Sequence, residues 1–575
     1  MSPRSSSTTP KESQPLLQPR DPSYHSVDSP PTPPPDDHQP LNQVSRIDFF
    51  WIVSGLWSAV FLGALDGTIV ATLLSPIGSY FNKSEQSSYL GTSYLLSVCC
   101  FTPLYGRLSD ILGRKGAMLL GLSLFGSGTI ACGLAPSMEA LILARAVAGM
   151  GGGGLTISPV SSIAITDLIP LKHRGLYQGM ANVLFGLGAG LGGPVGGWIN
   201  DTWGWRAAFL AQAPFLIISF TLVALKVNIK LPDTVQNEST SSKLRRIDFL
   251  GSFTLVIAVA GMLLGFSLKT TEELPWSHPF IGTLFFVSVI FWMAFVYVEA
   301  RWAPYPVMPL RLITQRTPLA VSLTNLFGSM TAFSMLYNVP LYFSAVRLTT
   351  STNAGLHLLP HSAALSSGSV FAGWWMRRTG KLYNLTLASA ALTVLASVLV
   401  ALWNDETSTF HLWFDIVPQG LGMASLITST LIAMIAGVYK EDMAVATGIT
   451  YLFRTTGQVL GVSLSGAVLQ SVLLRKLRQR ITGPGSSEVI EEIRYDSALH
   501  SINSIPELTP SLRKAAVDSY ADALRVVFIC QIAINILVFI ACLPIEEHPL
   551  PGTHQEQEEH YRQQQQHANN GSVVE

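Results

Sequence analysis

Charged side chains are scarce in this chain. Asp, Glu, Lys and Arg make up 13% of its 575 residues, against about 25% in ordinary soluble domains. No Gly-Lys-Ser or Gly-Lys-Thr occurs, which excludes a P-loop and leaves no sign that ATP drives the protein directly. A His-Glu-x-x-His signature is also missing, and neither a metal site nor a cofactor is expected. Cysteine is rare: Cys99, Cys100, Cys132, Cys530 and Cys542 include no Cys-x-x-Cys pair. All five fall in apolar runs, which argues against a disulfide framework. Cys99 and Cys100 read as buried small apolar residues. No basic n-region leads into an apolar stretch with a cleavage site, so no cleaved signal peptide is expected. The formal net charge is +0, and neither a nucleic-acid partner nor an enzymatic activity is expected.

What the chain has instead is apolar length. Hydrophobic residues make up 48% of it and recur in runs of roughly 20 residues, enough to cross about 30 Å of hydrocarbon as helix. Its 47 glycines sit largely inside those runs, as suits helices that approach one another closely. Spans are expected to begin near Phe49, Ser87, Ala117, Ala140, Leu176, Arg206, Phe249 and Phe280. Six more begin near Pro318, Ala354, Tyr383, Leu412, Thr447 and Leu524, giving an all-α integral membrane protein of about 14 transmembrane helices. Residues 1–46, rich in Ser, Pro, Asp and Gln, and the polar residues 546–575 read as disordered cytosolic tails.

Short loops orient the chain. With the N-terminus in the cytosol, that side gathers Arg107, Arg114, Lys115, Lys172, Arg174, Arg245, Arg246, Arg311, Arg316, Arg377, Arg378 and Lys381. The other side has Lys83, Lys269 and Arg347, together with Arg475, Lys476, Arg478 and Arg480 in the long interval 472–523. Long loops weigh less in the rule, so both termini are expected in the cytosol. A faint repeat accompanies this pattern. Gly106 and Gly113, with Lys115 after them, are echoed by Gly373 and Gly380 with Lys381.

Four segments carry chemistry. Gly106 to Gly116 contains Gly106, Asp110, Gly113, Arg114 and Lys115. Its glycines permit a tight loop, and Asp110 can pair with arginines and helix N-termini, so the loop can latch two helical bundles; the bland alternative is a positive-inside turn. Arg145 opens Arg145-Ala146-Val147-Ala148-Gly149-Met150-Gly151-Gly152-Gly153-Gly154. An arginine within an apolar segment is costly and reads as functional or paired. These glycines match G-x-G-x-x-G, but no strand precedes them, so close helix packing is the better account. Gly186 to Gly197 surrounds Pro194 with Gly190, Gly193 and Gly197, a bendable face suited to sliding or to close packing. Asp66, in Leu65-Asp66-Gly67-Thr68-Ile69-Val70, lies deep in an apolar run, where ionisation is disfavoured. It can exchange a proton for a cationic substrate, or hold one fixed hydrogen bond. Asp66 and Arg145 fall in the same half of the bilayer and could pair. Arg454 is a second costly intramembrane charge, while His357, His361, Asn325, Asn338, Asp415 and Gln419 read more simply as interhelical hydrogen-bonding residues.

Together these segments resemble the major facilitator superfamily. Gly106–Gly116 is similar to its loop 2–3 signature, Arg145–Gly154 to its span-4 motif, and Ala189–Gly197 to its antiporter motif. Leu65–Val70 and Ala446–Gly457 resemble signatures of the fourteen-span drug:proton antiporters. Ser93-Tyr94-Leu95-Leu96, Pro103 to Asp110 and Trp203-Gly204-Trp205-Arg206 are similar to fungal vacuolar basic amino-acid transporters. The resemblance implies two six-helix bundles, 47–230 and 306–545 (the latter with a non-cytosolic loop 472–523), joined by a linker 231–305 with two extra helices. It implies proton coupling, gating and antiport roles for Asp66, Asp110, Arg145, Gly193 and Pro194, with Arg454 joining the coupling residues. Two departures stand out: Ala189 replaces a frequent glycine, and Arg377 stands where Asp110 does in the first half.

The implied function is a monomeric antiporter that uses the proton gradient, without cofactor, to move small cationic solutes such as basic amino acids from cytosol to vacuole. Glu12-Ser13-Gln14-Pro15-Leu16-Leu17 fits an acidic dileucine sorting signal, which favours the vacuolar membrane. The alternatives are plasma-membrane multidrug efflux and a transport-dead nutrient sensor; intact Asp66 and Arg145 count against the sensor. Asn82-Lys83-Ser84 is the candidate glycosylation sequon.

Overall fold

The computed structural model describes residues 46–552, except 84–85, 156–168, 228–247, 272–276, 304–305, 350, 440–441, 483–489 and 491–508, together with Glu556 and Glu559. The described chain is helical and contains no strand. The first half comprises α1 (Arg46–Phe81), α2 (Ser88–Ile111), α3 (Gly113–Leu134), α4 (Met138–Leu155), α5 (Leu171–Trp203), α6 (Trp205–Leu210) and α7 (Ala213–Lys226). Two further helices follow, α8 (Phe249–Thr271) and α9 (Pro279–Arg301). The second half comprises α10 (Leu310–Thr314), α11 (Arg316–Ala345), α12 (Ser351–Leu356), α13 (Leu359–Thr379), α14 (Tyr383–Ala401), α15 (Thr409–Phe414), α16 (Val417–Ala436), α17 (Met443–Arg480) and α18 (Pro510–Cys542).

Among the described residues, 10 helices are long and apolar enough to cross a membrane. Four other expected spans coincide with α2, α4, α5 and α13, whose glycine, serine and charged residues dilute their hydropathy. In lipid a helix satisfies its own backbone hydrogen bonds, which is why an apolar chain adopts this form throughout. The outward surface agrees: Phe280, Phe286, Val289, Met293 and Tyr297 of α9 are exposed large hydrophobics, whereas Phe295 on its other side is fully buried.

Within the first half α1 packs on α5 and α7, and α4 on α2 and α3; within the second, α11 packs on α17 and α18, and α13 and α14 on α16. The halves meet along two seams, α5 against α13 and α2 against α17, with α8 lying beside the second seam. Close approaches along these seams occur at the end carrying the basic loops. A Cβ on Gly106 would come 3.0 Å from the Ala444 carbonyl oxygen, and one on Gly373 would come 2.5 Å from the Gly175 backbone. A Cβ on Gly179 would lie 2.7 Å from the Ser369 carbonyl oxygen, and Asn182 Nδ2 donates to Ser369 Oγ at 2.7 Å.

Two expected polar stretches contain order. The interval 472–523 begins as the last turns of α17 and ends as the first turns of α18. Two of its basic residues are compensated there: Lys476 and Arg480 both pair with Asp522 on α18, at 2.9 and 2.8 Å. Beyond residue 545, where a disordered tail is expected, the chain instead crosses the basic face as a strap. Arg316 pairs with Glu546 at 3.2 Å. The Glu547 carboxylate accepts from the Leu382 and Tyr383 N–H groups at 2.6 and 3.1 Å, capping α14. Leu550 is buried, and the Pro551 carbonyl accepts from Lys172 N–H at 3.1 Å. The strap therefore touches α11 and α14 of one half and α5 of the other. Its apolar residues Ile545 and Leu550 bury against that face, which a purely polar tail would not do.

Candidate functional site

Asp66 lies deep in α1 and Arg145 in α4, and the two are 0% and 1% exposed. Arg145 Nη1 meets Asp66 Oδ2 at 2.7 Å. The other carboxylate oxygen, Oδ1, accepts from Gln212 Nε2 at 3.3 Å, and Gln212 occupies the junction between α6 and α7. Arg145 also donates from Nε to the Leu90 carbonyl of α2 at 3.4 Å and lies 4.2 Å from the centre of the Tyr94 ring. Four segments thus converge on one charge pair in the half of the protein remote from the basic loops. Placing either charge there alone would cost several kcal/mol. Together, with both carboxylate oxygens engaged, they form a mutually compensated unit.

The glycines after Arg145 make room for this unit. A Cβ on Gly149 would lie 2.4 Å from the Tyr94 carbonyl oxygen, and one on Gly151 would lie 2.2 Å from Phe125 N. The run is helical and wedged between α2 and α3, as packing rather than nucleotide binding requires.

In α5 the glycines divide by face. Gly188, Gly192 and Gly196, spaced by four, lie against α1: a Cβ on Gly192 would come 1.9 Å from Thr68 Oγ1. Gly190 and Gly197 have nothing within 4 Å, and Gly193 has only Thr72, at 3.7 Å; Pro194 is exposed. The residues singled out in the sequence therefore lie on the open face of this helix, and the packing glycines are their neighbours. Between α5 and α13, Leu176, Val183, Ala363, Ser366, Val370 and Trp374 border an apolar groove of about 630 Å³.

The loop segment turns abruptly from α2 into α3 at Gly113, whose φ is +81°. Arg114 Nη1 donates to Ser109 Oγ at 3.0 Å, and Lys115 is half-buried at the start of α3. The side chain of Asp110 lies outside the described residues, as do Glu12, Leu16, Leu17 and Ser84 of the sequon. Asn82 ends α1 with φ +53°, a conformation asparagine tolerates better than most residues. The faint repeat has a structural counterpart. Gly106 and Gly373 each face backbone of the opposite half, and Gly113 and Gly380 both adopt positive φ.

Arg454 on α17 is 1% exposed. Nε and Nη2 donate to Asn325 Oδ1 of α11 at 3.2 and 3.1 Å, and the Tyr451 ring centre is 4.7 Å away. It does not join the Asp66–Arg145 unit in a described contact. Gln419 is fully buried, and its amide makes no hydrogen bond among the described residues. Asn338 reaches Ser465 at 3.0 Å, and Asp415 accepts from Trp403 Nε1 at 3.0 Å. Outside the spans, the Lys83 ammonium beside Glu139 holds that carboxyl at about 2. At the basic start of α5, burial and then Arg377 and Lys172 lower the His173 pKa. The sequence does not single out Gln212 for this site; its signal is a lone amide inside the apolar run Trp205–Lys226.

Two helical halves meeting along glycine-lined seams at one end, the first of them holding a buried ion pair, define a multi-pass membrane protein of the transporter class. A family model described as Major Facilitator Superfamily matches residues 56–462, and the chain belongs to that superfamily. It is 39% identical over 500 residues to "Multidrug resistance protein fnx1" of Schizosaccharomyces pombe, with 86% of this chain and 92% of that protein covered. It is 32% identical over 472 residues to "Vacuolar basic amino acid transporter 1" of Saccharomyces cerevisiae, covering 75% and 81%. Among solved structures, the human organic anion transporter MFSD10 matches with a TM-score of 0.57 at 15% identity, covering 86% of this chain and 99% of that one. At that identity the likeness concerns the fold alone.

Proposed function

We propose that this protein is a proton-coupled antiporter that moves small cationic solutes, basic amino acids above all, from the cytosol into the vacuole. Fourteen crossings, with both termini in the cytosol, complete the architecture. The observation that carries the reading is the buried Asp66–Arg145 pair at 2.7 Å. Lumenal protons reach Asp66, neutralise it and loosen Arg145; loss of the proton restores the pair. A cationic substrate competes with Arg145 for the same carboxylate, so proton and cargo occupy it in turn. Similarity to a protein named as a vacuolar basic amino acid transporter supports the substrate class and the membrane. Gly106, Gly113 and Arg114 would latch the halves at the cytosolic face, and Gly190, Gly193, Pro194 and Gly197 would provide the sliding face of α5. The proton gradient alone would drive the cycle.

The test is uptake of labelled arginine, lysine and histidine into acidified vesicles, beside Asp66→Asn. Gradient-driven uptake is expected to vanish in the variant, and exchange of labelled for unlabelled arginine at equal pH to fall with it, because cargo and proton share that carboxylate. Unchanged gradient-driven uptake in Asp66→Asn would remove the coupling role. A second reading, multidrug efflux at the plasma membrane, is favoured by similarity to a protein named for multidrug resistance. It gains if no amino acid moves and cells carrying the protein survive azoles or dyes better.

A further inference from the structure

Among the described residues, Arg145 and Arg454 are the guanidinium groups buried in mid-helix, and they are treated differently. Arg145 has a carboxylate at 2.7 Å. Arg454, just as buried, has no carboxylate within 4 Å among the described residues; its Nε and Nη2 both converge on one neutral oxygen, Asn325 Oδ1. An arginine does not shed its proton in a protein, so this is a buried cation with only neutral partners. Such a charge is poorly compensated, and the Nε–Nη2 edge is the geometry that grips a carboxylate in two parallel hydrogen bonds. Asn325 is positioned for the part of stand-in, because its Nδ2 is anchored to the Val321 carbonyl at 2.9 Å and to Thr430 Oγ1 at 3.1 Å.

The place matters as much as the chemistry. Arg454 follows Ala444, which closes on Gly106, by about 15 Å of helix. The next residue, Thr455, lies beside the thiol of Cys99 on α2. Arg454 therefore lies inward of the α2–α17 seam, and parting of that seam at the basic end would uncover it.

We propose that Arg454 is the binding site for a carboxylate on the transported molecule. The cargo is then an amino acid that carries both a cationic group and a free carboxylate, and not a simple amine. This deepens the proposed antiport of cationic solutes and rests on it. Asn325 holds the guanidinium while the site is empty and yields that edge to the substrate.

The experiment is competition against labelled lysine uptake in vesicles holding the full chain, using unlabelled lysine, lysine methyl ester and cadaverine. In the unaltered protein lysine is expected to compete at least about thirtyfold better than either analogue, the low end for a desolvated charge pair. In Arg454→Gln that ratio is expected to fall to about one, chiefly through loss of affinity for lysine. Asn325→Asp provides a second test that keeps the buried charge balanced. Its own carboxylate fills the site, so the protein should remain folded and lose the preference. A preference that survives in either variant overturns the proposal. Equal competition by lysine and cadaverine in the unaltered protein overturns it too, while leaving cation antiport intact. No uptake of labelled lysine at all overturns the antiport reading itself.

Discussion

Asp66 and Arg145 are 79 positions apart in sequence and less than 3 Å apart in space. Each is costly in the bilayer, and the sequence announces both for that reason. Their pairing follows from topology, since α1 and α4 run in opposite directions and bring both residues to the same depth. Gln212 and Leu90 O, which complete the unit, are ordinary groups that only the fold makes special. The consequence is a strongly non-additive pair. Arg145→Gln is expected to destabilise the protein by about 3–5 kcal/mol, the cost of leaving a buried charge alone. The double variant Asp66→Asn with Arg145→Gln should recover a large part of that loss. Thermal unfolding of detergent-solubilised protein, followed by monodispersity, reads both. Additive losses would mean that the two residues do not form one unit.

Among the helices, α5 separates most clearly what pattern conveys from what packing demands. Its run from Gly186 to Gly197 is legible as a smooth surface, yet nothing local tells which glycines are against a neighbour. Rotation about the helix axis decides it, and the four-residue spacing of Gly188, Gly192 and Gly196 selects the face toward α1. Gly192→Ala places a methyl carbon 1.9 Å from Thr68 Oγ1 and 2.7 Å from the Leu65 carbonyl, beside Asp66. It is expected to push α1 away, with a loss of about 1–3 kcal/mol from overpacking and of transport. Gly190→Ala meets nothing within 4 Å and is expected to fold and melt like the parent. If Gly190→Ala abolishes transport without loss of stability, the open face of α5 acts in the moving step, as the sliding reading requires. Equal melting temperatures for the two variants would contradict the division of faces.

Across the whole molecule, the described contacts that join the halves at the basic end include the α2–α17 seam, the α5–α13 seam and the strap after α18. The strap caps α14 through Glu547 and reaches Lys172 of the other half. Removing residues 544–575 should therefore favour parting of the halves on that face. Ser369→Cys reports it, because Ser369 is 0% exposed between the halves. An impermeant thiol reagent on the basic side is expected to modify this cysteine several-fold faster in the truncated chain. Glu547→Ala should act in the same direction and more weakly, since a helix cap is worth about 0.5–2 kcal/mol. An unchanged rate in both would leave the strap as a passive tail.

Hydropathy, the sidedness of the basic loops and the expense of Asp66, Arg145 and Arg454 are properties of single residues and short windows. The sequence by itself therefore determined that the chain is helical and membrane-spanning, and which charges call for an explanation. Partnership is not local. That Arg145 has a carboxylate while Arg454 has an amide, that Gly106 and Gly373 serve opposite seams, and that residues 546–552 fold onto the basic face all depend on helix rotation and register. Those are set by side-chain packing between segments tens to hundreds of residues apart, where one residue's shift moves a side chain about 100° around its helix. Only the tertiary structure decided them.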